Sequence, residues 1–305
     1  LDATTTANQN TAIGAQTLSA NTEGYANTAV GYNALCTHTT GNSNTAVGDH
    51  AMKLTTTGTF NVAIGDNALC ANTTASQNVA IGRDAMFANT TGACNIAVGA
   101  LALDANTTGA DNTVVGTAAM STNTTGQDNV AMGKSALLLN TEGASNTALG
   151  ISSLCNNTTG TCNTAVGHTA LNKNTTASCN TAVGSRSLYS TTSGEDNTAV
   201  GNYALCKNTT GECNVAVGVM ALTTNTTAEC NTAVGMHAMC KSTTACRNTA
   251  IGAFASYTAT TGHQNTAIGQ GALYAMTDGG NNVAVGRNAG SSLTQGNNNV
   301  MLGYI

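Results

Sequence analysis

Apolar and polar positions follow one another along this chain with a period that never slips. The pattern Asn, β-branched residue, small residue, aliphatic residue, Gly begins at Asn10, returns at Asn27 and Asn44, and keeps that interval until Asn299, giving 18 starts without an insertion or deletion. A lengthened turn is tolerated nowhere. With the Asn as position one of a 17-residue repeat, position two is Thr, Val or Ile, position four is Val, Ile, Leu or Met, and position five is always Gly. Residues two to four favour a short strand, which the Gly ends. Positions eight and nine, usually Ala and Leu as in Ala34 and Leu35, predict a second short apolar segment. Positions twelve to fifteen, often Asn-Thr-Thr-Gly as in Asn106 to Gly109, predict a turn.

One such repeat buries nothing alone, but stacked copies place each position above its counterpart and turn positions four and nine into continuous aliphatic ladders. The pattern therefore predicts an all-β chain, a parallel β-solenoid or β-roll of about 17–18 coils with 17 residues per coil. A helical repeat is excluded, since a helix pair needs about 33 residues or more. At about 4.8 Å per coil, the rod expected is roughly 80 Å long. The domain reading is one repeat array: a partial leading coil at 1–9, continuous coils over 10–303, a partial trailing coil at 304–305, and no capping coil. Uncapped ends are expected to polymerise end to end or to mark a segment of a longer array.

Strand alternation places positions two and four on one face and one and three on the other. With position four assigned to the interior, position three faces outward. It is Ala in all copies but two, where Val114 and Met301 stand. The Ala ladder, including Ala29, Ala46, Ala63, Ala80, Ala165, Ala182 and Ala199, is then a candidate oligomer interface, and a symmetric homo-oligomer is expected. The alternative is that a broader coil tucks these alanines inside beside an Asn ladder.

Composition changes this picture little. The chain has 34 Gly, no Pro, no Trp and 8% charged residues, with 9 basic against 14 acidic side chains and no basic stripe. Nucleic acid is therefore not an expected partner. No apolar run is long enough for a membrane span. No phosphate loop, nucleophile set or paired-carboxylate site stands out from the period, so the chain reads as a non-enzyme that needs no cofactor or metal.

The 11 cysteines fall on two positions and one near neighbour. Cys36, Cys70, Cys155, Cys206 and Cys240 hold position ten; Cys94, Cys162, Cys179, Cys213 and Cys230 hold position seventeen; Cys246 lies one place earlier. Other copies place charges there, so both positions read as surface and the thiols as cross-link candidates. One recurring offset, from position ten to position seventeen of the following coil, would join Cys70 with Cys94, Cys155 with Cys179 and Cys206 with Cys230. A shorter one, within a single coil, would join Cys155 with Cys162 and Cys206 with Cys213. Spacing does not decide between them. The odd total favours bonds between chains, and disulfides would imply an extracellular setting. Asn72, Asn89, Asn106, Asn123, Asn157, Asn174, Asn208 and Asn225 begin Asn-Thr-Thr at position twelve and are formal glycosylation acceptors, although turn chemistry explains them equally. Thr occupies position thirteen from Thr22 to Thr294, and a Thr ladder raises ice binding as a function of another class.

The segments NTAVGYNAL, NVAIGDNAL, NIAVGALAL and NTAIGQGAL resemble the head repeats of trimeric autotransporter adhesins. The interleaved NTTG turns are similar to repeats of phage tail fibres and related viral or bacterial fibre proteins. The resemblance spans about residues 10 to 303 and implies a left-handed homotrimer serving as an extracellular, cell-surface or virion-surface fibre. It makes the chain's partners further copies of itself, together with a cell-surface receptor or glycan if the fibre is an adhesin. The function expected is a rigid, disulfide-reinforced structural rod, with a receptor-binding fibre head as the adhesive alternative.

Overall fold

The computed structural model describes residues 6–304, so the first residues of the leading coil and Ile305 of the trailing one lie outside the described residues. The chain is all-β: a parallel β-solenoid of about 17 turns, each turn one 17-residue repeat, with no helix among the described residues. Each turn contributes one three-residue strand at positions two to four, from β1 (Thr11–Ile13) to β18 (Val300–Leu302). Strand partners sit one full period apart, as in Thr198 with Val215, Ala199 with Ala216 and Val200 with Val217. Two compact units result, one carrying β1 to β9 and the other β10 (Thr164–Val166) to β18.

The turn from Asn214 to Cys230 shows how the backbone is satisfied. Its strand amide Val215 N donates to Asn231 O at 2.8 Å, and Gly218 N donates back to Val200 O at 2.8 Å. Farther round, Met220 N reaches Asn202 O at 3.0 Å, Leu222 N reaches Ala238 O at 3.0 Å and Cys230 N reaches Glu212 O at 3.1 Å. Coil-to-coil hydrogen bonds therefore run round the whole turn and are not confined to the strand, as buried backbone requires.

The second apolar segment is not a strand. Positions seven and nine are left-handed, as at Met220 (φ 58°) and Leu222 (φ 49°), which an extended segment does not allow. The chain instead makes successive tight turns, closed by Ala221 N to Gly218 O at 3.3 Å and Asn225 N to Leu222 O at 3.1 Å. Leu222 is nevertheless fully buried, as are Leu35, Leu69 and Leu205, so the aliphatic ladder at position nine holds. Each such side chain contributes about 1.5–3 kcal/mol.

The strand faces the other way from the expectation. Ala29, Ala46, Ala63, Ala80, Ala165, Ala182 and Ala199 are all completely buried, which removes them as an oligomer interface. They share the inward face with the position-one Asn, and Val114 at the same position is buried too. Gly290 and Met301 complement each other. Where position nine is Gly290, position three of the following turn is Met301, whose Sδ would lie 2.5 Å from a Cβ built on Gly290. Volume lost on one wall is supplied from the other.

The core is closed by two polar ladders. At position one, Asn44 N and Nδ2 donate to Asn27 Oδ1 at 2.9 and 3.1 Å, and Nδ2 also donates to Gly58 O at 2.8 Å. At position twelve, Asn106 Nδ2 donates to Asn89 Oδ1 at 2.8 Å and to Gly109 O at 2.9 Å. Buried amides are stable here because nearly all of their groups are paired, Asn21 Oδ1 and Asn225 Oδ1 being exceptions at position twelve.

Candidate interaction surfaces

With position three inside, positions two and four form the outward face of the strands. At position four of the first unit, Ile64 is 40% exposed, Ile81 36% and Met132 42%; in the second, Val200 is 37% exposed, Ile251 40% and Val285 38%. Scattered exposed aliphatics need no explanation, but these share one position and one register with half-buried aliphatics of the other coils, such as Val30 and Val217, beside the Thr, Val or Ile of position two. Each unit thus presents a flat strip whose middle column is aliphatic.

The Thr ladder of position thirteen is committed inside the stack. Thr73 Oγ1 donates to Thr90 O at 3.1 Å and Thr90 Oγ1 to Thr107 O at 3.0 Å, both half-buried. The exposed Thr column is position fourteen, as at Thr91 and Thr108.

The sequon asparagines are likewise spent. Asn72, Asn89, Asn106, Asn123, Asn157, Asn174, Asn208 and Asn225 are completely buried. Their Nδ2 atoms donate inside the coil: Asn89 to Gly92 O at 2.9 Å, Asn123 to Gly126 O at 3.0 Å, Asn208 to Gly211 O at 2.9 Å, and Asn225 to Asn208 Oδ1 at 2.8 Å. The nitrogen that a glycan would need is the one that closes the turn, so these residues are not glycosylation sites of the folded chain. His38 replaces Asn in this column, with its Nε2 2.7 Å from Gly41 O and its Nδ1 buried without a partner. Burial holds its pKa below the usual histidine value, against the pull of the Gly41 and Thr55 backbone. The neutral ring therefore supports the fold above the unfolded-state pKa of about 6.5, and that support is lost as pH falls from there through the lower folded pKa. Urea titrations at pH 8 and pH 5 should show the first unit losing stability on acidification, and His38→Asn should reduce the loss. Equal losses in both proteins would refute the assignment.

All eleven cysteines are thiols. Positions ten and seventeen lie in different surroundings. The charges that act on Cys206 belong to Arg186, Lys207 and Lys173, whereas those acting on Cys213 belong to Cys230, Asp196, Glu212 and Glu229. Burial pushes the Cys206, Cys70 and Cys240 thiols up.

An edge of the second unit escaped the sequence reading. Positions seven, ten and eleven carry stacked rings and cations: His237 with Phe254 at 5.2 Å between centroids, Tyr257 with Tyr274 at 5.3 Å, and Lys241 over Tyr257 at 5.1 Å. Arg186 lies over Tyr203 and donates to its Oη at 2.8 Å. Aligning the aromatic residues on the repeat would have exposed this column. On positions sixteen and seventeen of the same unit stand the exposed acids Glu195, Asp196, Glu212 and Glu229. Beside them, a shallow depression is lined by Glu229, Cys246, Arg247, His263 and Gln264. There Cys246 N donates to His263 Nδ1 at 3.0 Å. No group of three or more His, Cys, Asp or Glu able to hold a metal ion occurs among the described residues. No helix long and apolar enough to cross a membrane occurs among them.

Comparison with protein-family models gives no match. Comparison with curated proteins gives none either.

Proposed function

We propose that the chain is the subunit of a structural fibre, an assembly of parallel solenoids that bury the strip of positions two and four against further copies. One observation carries the reading. In each unit the position-four aliphatics lie on the outer face of the strands, half-buried to exposed, and an apolar column repeated in register marks a surface for association. A second copy supplies a matching surface without adjustment, because both have the same rise per coil. The similarity of NTAVG and NVAIG to adhesin head repeats makes a homotrimer the assembly expected, on an extracellular, cell or virion surface.

The strip suits a second reading as well. Its Thr-rich column at position two, such as Thr181, Thr198 and Thr232, stands beside the aliphatic column on a regular flat face, which fits contact with ice. One experiment separates the two. The variant Ile251→Lys/Ile268→Lys should weaken self-association in sedimentation velocity more than about 30-fold, near 2 kcal/mol, with an unchanged circular dichroism spectrum. A parent chain that sediments as a monomer and lowers the freezing point below the melting point would replace the fibre reading with ice binding.

A further inference from the structure

We infer that position seventeen is built to take two disulfides between neighbouring coils, Cys162 with Cys179 and Cys213 with Cys230, and that position ten is not. The register is the reason. Residues one period apart occupy the same place in adjacent turns, about 4.8 Å apart, inside the window of roughly 4.4–6.8 Å that a disulfide requires between Cα atoms. Both pairs have this separation in sequence, whereas no two position-ten cysteines do. All four sulfurs belong to exposed residues of the second unit.

The local hydrogen bonds hold both pairs in place. Cys179 N donates to Thr161 O at 3.0 Å and Cys230 N to Glu212 O at 3.1 Å, in each case the carbonyl just before the partner cysteine. All four residues are left-handed, with φ between 55° and 60°, so the members of each pair leave the backbone in the same direction. Side chains of this column meet: Cys94 Sγ lies 3.4 Å from Gln77 Oε1, one coil away. Within the pairs, Cys162 is among the groups whose charge acts on Cys179, and Cys230 is foremost among the charges acting on Cys213. Slight desolvation first, then these thiols and the neighbouring acids, raise the Cys179 and Cys213 pKa values, so exchange should quicken as pH rises.

The chemistry is thiol–disulfide exchange with a small-molecule disulfide. A thiolate of the pair attacks that disulfide, forms a mixed disulfide and expels one thiol. The second cysteine, losing its proton, attacks the protein-bound sulfur, forms the bond between coils and expels the second thiol. The protein dithiol gives two electrons and two protons, and one disulfide becomes two thiols. Seven cysteines remain outside these pairs, which places any bond between chains among them.

The test uses the full chain, reduced and then incubated with oxidised glutathione. Remaining thiols are blocked with N-ethylmaleimide in denaturant before cleavage at Lys, Arg and Glu, which cuts at Lys173 and at Glu229 between the partners. Nonreducing mass spectrometry should recover Cys162 linked to Cys179 and Cys213 linked to Cys230. A mixture of ordinary and ¹⁵N-labelled chains should give no mixed-isotope pairs. Cys179→Ser should leave Cys162 as a glutathione adduct, and Ser43 and Ser145 show that position seventeen accepts Ser. Recovery of the four residues as separate adducts, bonds to position-ten cysteines, or mixed-isotope pairs would each overturn the inference. The pairing rests on coil register alone, so self-association measured under reductant reports on the fibre reading separately.

Discussion

Replacing Gly218 by Ala should destabilise the second unit by roughly 3–5 kcal/mol, read as a lowered urea midpoint. Gly218 has φ +134°, a region closed to side chains, and an added Cβ would lie 2.6 Å from Gly235 O, 2.7 Å from Gly235 C and 3.1 Å from Met236 N. All three atoms are backbone of the next turn, so no rotamer relieves the clash. The turns must separate, and the bond from Gly235 N to Val217 O at 2.7 Å would be the first to lengthen. Gly271→Asn is the matched control. Gly271 has φ +67°, its crowding comes only from the Asn288 side chain, and Asn33 and Asn67 already occupy the same position. Its cost should stay below about 1 kcal/mol. A midpoint for Gly218→Ala within that range would mean that the turns are not packed at this spacing.

Asn214→Asp should be about as damaging at pH 7, roughly 3–5 kcal/mol, although it changes a single atom. Asn214 Nδ2 donates to Ala228 O at 2.8 Å and to Asn197 Oδ1 at 3.1 Å, and its Oδ1 accepts from Asn231 N at 3.0 Å. A carboxylate keeps the acceptor but aims an oxygen at two others. Burial and those acceptors would raise its folded pKa above the unfolded value of about 3.9. The stability difference from the parent chain should therefore be smallest below that value and grow as pH rises through it. A difference independent of pH between 3 and 7 would show that the amide nitrogen is dispensable.

Much of this architecture was legible. A strict period fixed the register, so Thr198 opposite Val215 follows from counting, and Leu222 was assigned correctly to the core. The facing of the strand was not legible. Alternation says that Asn214 and Ala216 share one side and Val215 and Val217 the other, but not which side is wet. The constant apolar character of position four argues for that side inside. What wins is the chance for an amide repeated at every turn to satisfy its neighbour, an energy that exists only once turns are stacked. The same blindness affected the sites. Asn208 matches a glycosylation signal and is instead a buried turn clamp. Offsets between positions ten and seventeen stand out in a linear text, whereas Cys162 and Cys179 meet only once the turns are stacked. Tyr257 and Tyr274 went unnoticed because rings a full period apart look isolated in a linear text.

The left-handed residues at positions seven, nine and seventeen bear on how such a molecule comes into being. Gly aside, L-residues enter that conformation at a cost of order 1 kcal/mol each, and here every turn needs several, held largely by bonds to the adjoining turns. A lone turn in water therefore has little reason to exist, while one added to a finished neighbour finds its amides and carbonyls already waiting. Formation should be slow to begin and quick to extend, in the manner of crystal growth. Any turn with a neighbour on one side only is the one most easily lost and most readily added to.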